Sequence, residues 1–337
     1  MRIYLEFEYR RVNCKRCQSV KQEYIPWLSN NKRVTQRFAR EIGRMCRETS
    51  VSYVATMHNL TWGQVRRLEI IYMKDLVKKH PPSKRLRAIG IDEISVRKGH
   101  RYAIVVADLD QQRPIWMSTT TGRDKKHMDL FYKSIGEKQC KRIKVAVMDM
   151  WKPFRNSLRD NAPQAQIIYD KFNVIGYLNK ALDEVRRQEY KCATEKNRKF
   201  IKGQRYTLLS HEDNLSLKGK ESLKLLLTIN KRLNKAYLLK ESFGQLWDYD
   251  DPAKARLFFD NWKSQLRWSR LKPYKKFVDF IDRHWDGIIS YCHPEHKVSL
   301  GFMEGLNNKI RVIQRRSYGI KNLEYLKLKI ITSFIKD

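Results

Sequence analysis

Three things are scarce in this sequence: long apolar runs, paired cysteines and acidic residues. No apolar stretch approaches the roughly 18 to 20 residues that a membrane-spanning helix needs, which points away from an integral membrane protein. The first residues, from Met1 to Arg11, alternate and carry charge, unlike a secretory signal. The six cysteines, at 14, 17, 46, 140, 192 and 292, are scattered apart from one CxxC. They predict free thiols in a reducing compartment rather than a disulfide scaffold, and so a soluble cytoplasmic protein with no membrane partner. Acids number 36 against 70 Lys and Arg, leaving a formal charge of +34. That surplus disfavours a metabolic enzyme of small anions and predicts a polyanionic partner, most simply nucleic acid. Hydrophobic residues at 42% and aromatics at 11% are too many for a disordered basic tail. The charge therefore decorates a folded chain of 337 residues, long enough for two domains.

Residues Tyr4 to Tyr9 alternate like a half-buried strand and lead into Cys14-Lys15-Arg16-Cys17. Phe38, Ile42 and Met45 carry a helical pattern from Thr35 to about Cys46. A short helix from Ser52, a break at His58 to Thr61 and a second helix exposing Gln64, Arg66 and Arg67 predict a helix-turn-helix over 34–80. Such a second helix can enter the major groove, the alternative being a plain helical hairpin. His80-Pro81-Pro82-Ser83 then stops the helix and marks a domain boundary.

Beyond it the pattern changes to strands at Leu86 to Asp92, Tyr102 to Asp110 and Pro114 to Met117, followed by a helix from His127 to Ile135. A strand at Ile143 to Asp149, a helix at about 153–160 and a strand at Gln166 to Asp170 complete an α/β order. It is the order of the ribonuclease-H-like fold, and it also fits other mixed folds. A basic helical stretch over 174–298 comes next, with helices at Leu178 to Tyr190, Leu217 to Phe243, Ala253 to Leu266 and Pro273 to Ile289. Two last helices run from Met303 to Gln314 and from Asn322 to Ile335.

Asp92 and Asp149 each close an apolar strand, so neighbouring strands would bring both carboxylates to one sheet edge. Two such groups repel unless a cation lies between them, and Mg²⁺ takes one or two carboxylates plus water and phosphate oxygens. A pair of ions can serve phosphoryl transfer. Glu304, near the start of a helix, is the candidate third acid, and Asp170 either assists it or is structural. Arg311, Arg315 and Arg316 follow on that helix as candidate phosphate contacts or a solvated basic face. Trp262 and Trp268 suit base stacking or, more simply, core packing. Cys292-His293-Pro294-Glu295-His296 has the residue types of a metal cluster without a matching pair.

These residues carry a family resemblance over nearly the whole chain. Gly90-Ile91-Asp92-Glu93 with Arg97 to Tyr102, Val147-Met148-Asp149-Met150, Tyr169-Asp170-Lys171-Phe172, and Glu304-Gly305-Leu306-Asn307-Asn308-Lys309-Ile310 with Arg315-Arg316-Ser317-Tyr318-Gly319 resemble the catalytic segments of DDE transposases of the insertion-sequence-L-three family. The resemblance implies a ribonuclease-H-like catalytic domain over 84–175 and 299–337, a helical insertion over 176–298, and Asp92, Asp149 and Glu304 as catalytic acids. It implies two Mg²⁺ ions held by those acids, with Mn²⁺ as a substitute. The implied activity is binding of terminal inverted repeats, strand cleavage and strand transfer on double-stranded DNA, in a homodimer or larger synaptic complex on the bacterial nucleoid. Gln64, Arg66, Arg67, Asn308, Lys309, Arg311, Arg315 and Arg316 are the candidate DNA contacts. The alternatives are a transposase-derived repressor and a structure-selective nuclease. Two departures stand out: residues 1–33 hold only Cys14 and Cys17, half of a tetrahedral zinc site, and Asn173 replaces an expected histidine.

Overall fold

The computed structural model describes residues 5–29, 34–97 and 99–335. The chain divides into one unit running to Pro81 and taken up again from Ile313, and a second unit from Pro82 to Val312. In the first, β1 (Arg11–Cys14) and β2 (Ser19–Gln22) form an antiparallel hairpin with Cys14 opposite Ser19. The expected strand at Tyr4 to Tyr9 does not form over Leu5 to Tyr9, and Tyr4 lies outside the described residues. Alternation makes a strand only where a neighbouring chain supplies the ladder, and here the pairing begins at Arg11.

Three helices follow, each opened by a hydroxyl side chain that satisfies an otherwise free amide. These are α1 (Gln36–Glu48) from Thr35, α2 (Val51–His58) from Ser50, and α3 (Trp62–Lys79) from Thr61. Asn59, at φ 54° and ψ 43°, ends α2 in the left-handed region that asparagine tolerates well. Ile42, Cys46, Val54, Val65 and Leu68 form the core of the three helices.

The second unit is built on β3 (Ala88–Arg97), β4 (Arg101–Asp108) and β5 (Arg113–Met117), then α4 (Lys125–Ile135) and the single turn α5 (Glu137–Cys140). It continues through β6 (Val145–Met148), α6 (Lys152–Asn161) and β7 (Gln166–Tyr169). The sheet order is β5-β4-β3-β6-β7, with β3, β4 and β5 antiparallel and β3, β6 and β7 parallel. Two helices connect the parallel strands, as crossovers require.

The helical part starts with the long α7 (Lys171–Cys192), followed by α8 (Glu195–Gly203), α9 (Arg205–Leu209), α10 (Leu217–Ile229) and α11 (Lys231–Phe243). It continues with α12 (Pro252–Ser264), α13 (Lys272–Arg283), α14 (Trp285–Ile289) and α15 (Gly301–Arg316). The expected helix over Leu217 to Phe243 is two helices, because the Asn230 side chain accepts the Leu233 amide at 2.9 Å and caps a fresh start. Trp262 is core, its ring amide donating to the Leu239 carbonyl at 2.9 Å, whereas Trp268 is 88% exposed.

The division into units falls within α15, and the last helix, α16 (Leu323–Thr332), packs on α3 in the first unit. The sequence reading had placed 299–337 with the sheet. Tyr325 and Ile335 join Tyr72, Met73 and Leu76 in a small apolar cluster. Beside it, Lys329 donates to the Glu69 carboxylate at 2.5 Å and to the Cys46 carbonyl at 3.2 Å, and the Tyr325 hydroxyl donates to Glu69. Both charges are buried. Breaking such a pair on one side leaves an uncompensated charge, so Lys329→Ala should cost about 3–5 kcal/mol. Glu69→Leu combined with Lys329→Met should cost less than Lys329→Ala alone. Denaturant unfolding of the full chain measures both.

Candidate active site

Strand register decides where the acids fall. β3 pairs with β6 so that Ala88 lies opposite Val145 and Gly90 opposite Val147. β6 pairs with β7 so that Met148 lies opposite Tyr169. Continued one or two residues further, both registers set Asp92, Asp149 and Asp170 level at the carboxyl ends of three adjacent parallel strands. That edge is where open α/β sheets bind ligands. Asp92 is not the last residue of its strand, as the sequence suggested. β3 runs on to Arg97 because β4 keeps pairing with it after β6 has ended.

Side-chain alternation puts Asp92 on the same face of β3 as Gly90. A Cβ on Gly90 would lie 2.6 Å from the Met303 sulfur, so this face meets α15 closely and needs glycine there. Met303, Leu306, Ile310 and Ile313 are buried positions of α15, and Glu304 and Asn307 stand beside the first of them one turn apart. The Asn307 Nδ2 donates to Asp92 Oδ2 at 2.6 Å. The Glu93 amide donates to Asp92 Oδ1 at 2.7 Å, the Met150 amide to Asp149 Oδ1 at 2.6 Å, and the Phe172 amide to Asp170 Oδ1 at 2.8 Å.

The carboxylates feel one another. Burial pushes Asp92 up to about 6, with the charge of Asp149 adding to it and the Glu93 and Asn307 hydrogen bonds opposing. Burial likewise pushes Asp170 up to about 6, and the charges of Asp92, Asp149 and Glu304 all add to the rise. Asp170 thus reports that the other three acids lie within electrostatic reach. Among the described residues no three His, Cys, Asp or Glu side chains are drawn together as a ready metal cage. The donor chemistry nevertheless fits a hard divalent cation: carboxylates level at one sheet edge, whose mutual charge a cation would relieve.

A second cluster flanks the acids. Arg123 pairs with Glu93 at 2.8 Å, and its guanidinium lies 4.9 Å from the Tyr102 ring centre and 4.5 Å from that of Trp151. The Trp151 ring amide donates back to the Arg123 carbonyl at 2.9 Å. One side chain thereby ties the strand after Asp92 to the loop after Asp149. Neither Arg123 nor Asn307 was singled out in the sequence. Asn307 carried a readable signal, since it follows Glu304 by three positions on a helix.

The candidate DNA contacts are placed less uniformly. The Gln64 side chain accepts the Thr61 amide at 2.8 Å in a capping box, so it is engaged at the helix start. The Arg66 guanidinium sits 4.9 Å from the Trp62 ring centre and 4.5 Å from that of Tyr325. Arg67, Asn308, Lys309, Arg311 and Arg315 are exposed. Arg316 instead donates to the Glu48 carbonyl at 2.8 Å and to that of Arg47, at the carboxyl end of α1. Cys14 and Cys17 face each other across the hairpin turn, where hydrogen bonds, chiefly from Ser19, hold the Cys17 thiol below its ordinary range. Cys292 is buried and directed at the Leu246 carbonyl, while His296 bonds to Ser290. These last two belong to local packing.

A helical DNA-binding pattern in one unit and a mixed sheet with acids at its edge in the other define the class as a DNA-handling enzyme. Residues 89–330 match a transposase family of the ISL3 type, and residues 23–68 match the helix-turn-helix domain of transposase family ISL3. The chain is 31% identical over 336 residues, 99% of its length and 82% of the relative's, to the transposase for insertion sequence element IS1001 of Bordetella parapertussis. It is 26% identical over 347 residues, 96% of its length and 77% of the relative's, to the transposase for insertion sequence element IS1557 of Mycobacterium tuberculosis. The chain belongs to the ISL3 family of insertion-sequence transposases, and its function is DNA transposition. Among the described residues no helix is long and apolar enough to cross a membrane.

An acid held above its ordinary range favours the protonated fold, so ionisation between roughly pH 4 and 6 weakens the metal-free protein. Asp170→Asn keeps the cap on α7 and removes that charge. It should raise stability in EDTA at pH 7 by about 1–3 kcal/mol and change it little below pH 4. Thermal or denaturant unfolding at the two pH values checks this.

Proposed function

We propose that the chain binds the terminal inverted repeats of its element through residues 34–80 and cuts and joins DNA at the edge formed by Asp92, Asp149 and Glu304. The observation that carries this reading is the shared register of β3, β6 and β7, with α15 closing over it. The strand order supports a ribonuclease-H-like catalytic domain with 176–298 as its helical insertion. Asp92, Asp149 and Glu304 would hold two Mg²⁺ ions, and Mn²⁺ could replace them. Asp170 serves as an auxiliary acid that caps α7 and adds negative charge. When bound, such ions activate the attacking oxygen and stabilise the leaving one in phosphoryl transfer.

In the first step a water oxygen bonds to phosphorus at the element's end and the bond to the 3′ oxygen breaks, leaving a free 3′-hydroxyl. In the second, that 3′-hydroxyl attacks a target phosphodiester and displaces the target's own 3′ oxygen. No covalent protein intermediate is needed, so the residues' work is placement. Arg123 steadies the strand that follows Asp92 against the loop that follows Asp149. Exposed Arg67, Asn308, Lys309, Arg311 and Arg315 contact phosphates and set the DNA's position without reading its sequence. Joining two ends calls for a homodimer or larger synaptic complex.

The test is cleavage of labelled DNA spanning the gene's own flanks, with Mg²⁺ or Mn²⁺ against EDTA. Discrete metal-dependent cuts at inverted repeats are expected, reduced at least about 1,000-fold in Asp92→Asn, Asp149→Asn and Glu304→Gln with repeat binding retained. Cleavage that survives in Asp149→Asn would remove the acid from the mechanism. Tight repeat binding without cutting by the wild type would favour a repressor.

A further inference from the structure

Asn307 has two polar ends in unequal circumstances. Its Nδ2 donates to Asp92, and a carboxylate can only accept, so the other end of the amide is the acceptor Oδ1. That oxygen is buried and has no hydrogen-bond partner among the described residues. A buried acceptor left unpaired is costly and is rarely tolerated without a reason. The helix gives the reason a location. Asn307 stands one turn after Glu304, and its amide touches the acid that lies level with Asp149 and Asp170. The donors that transposition brings to this place are hydroxyls: water in cleavage and the 3′-hydroxyl in strand transfer.

We infer that Asn307 is a further residue of the active site, whose Nδ2 fixes the Asp92 carboxylate and whose Oδ1 accepts a hydrogen bond from the attacking hydroxyl. The inference rests on the reading of Asp92 as a metal-holding acid. Asn307 takes no proton and forms no bond to phosphorus. It holds the Asp92 carboxylate in the orientation in which it would take a cation, and orients the oxygen that attacks. Groups that hold a metal ligand in this way typically change metal affinity or rate 10- to 100-fold when removed, and the neutral amide does so without adding a fifth charge to the acids.

Asn307→Leu keeps the branched shape and removes both hydrogen bonds, and Asn307→Ser removes the amide by shortening the side chain, so that the two err on packing in opposite directions. The full-length protein is assayed for terminal-repeat binding, for Mn²⁺ binding by calorimetry without DNA, and for single-turnover strand transfer from a pre-cut end. Repeat binding should match the wild type, and the DNA concentration giving half-maximal rate should stay within about threefold. The maximal rate should fall about 10- to 100-fold, with Mn²⁺ affinity weakened as well. A rate within twofold of wild type would overturn the inference. So would a loss confined to the DNA-concentration dependence, or loss of repeat binding in both variants, which marks a purely structural role. Asp92→Asn run in parallel separates the two levels. Inert Asp92→Asn beside fully active Asn307→Leu sinks the Asn307 role alone, whereas cutting by Asp92→Asn brings down both.

Discussion

Carboxylates gathered at one end of a sheet repel, and much of this fold is organised around holding them there. The offset between β3 and β6 equals the separation of Asp92 and Asp149 in the sequence, and the offset between β6 and β7 equals that of Asp149 and Asp170. A slip of one residue in either pairing would turn one acid to the opposite face of the sheet. The apolar strands Val145 to Met148 and Ile168 to Tyr169 are buried on both faces, and that burial locks the register. In the metal-free protein the repulsion is answered in two ways. Burial and mutual charge raise Asp92 and Asp170 to about 6, and the amides of Glu93, Met150 and Phe172 point at the carboxylates that they follow. Asp92 and Asp170, held near 6, still ionise below pH 7, and that charge favours a hard cation.

The fourth acid arrives by different means. Glu304 belongs to α15, which packs closely on β3 where residue 90 has no side chain to crowd Met303 and Leu109. The buried row Met303, Leu306 and Ile310 sets the rotation of the helix. That rotation places Glu304 and Asn307 beside the row rather than in it. The same helix ends in Arg316, whose guanidinium binds the carbonyls of Arg47 and Glu48. A cation at the open carboxyl end of α1 is favourable for both the unpaired carbonyls and the helix dipole. Within sixteen residues the helix therefore carries an acid within electrostatic reach of Asp170 at its start and a capping cation at its close.

The sequence made the sheet legible because each strand is a short apolar run bounded by turn residues. All five strands formed within a few residues of expectation, apart from β3, which extends five residues past Asp92. The run of apolar residues ends at Ile91, while the strand ends where β4 stops pairing with it, and only the second depends on the partner. The breaks in the helical part were illegible for a related reason. Leu217 to Phe243 keeps its apolar spacing throughout, and the interruption comes from a single side-chain cap at Asn230. Helix α8 was missed because Glu195 to Gly203 is dominated by polar and basic residues, with Phe200 and Ile201 too few to set a period. The acids were readable at strand ends. Arg123 was not, and the helical spacing from Glu304 marked only the place of Asn307, since what distinguishes each is the partner it touches, 30 and 215 positions away.

The same logic narrows the exposed side of α3. Val65 and Leu68 pack on the three-helix core, and Tyr72, Met73 and Leu76 pack with Tyr325 and Ile335. Two packing surfaces on one helix leave only a narrow free arc. Gln64, at the opening of the helix, is spent on the capping box, and Arg66 lies between two aromatic rings. Arg67, Ile71, Lys74 and Lys78 recur every three or four residues along the exposed side. This stripe carries three cations, so it is the part of α3 with both the exposure and the charge to meet a phosphate backbone. Helical periodicity alone predicted a basic second helix. Which of its basic residues remain available was settled by α16, more than 240 residues further along the chain.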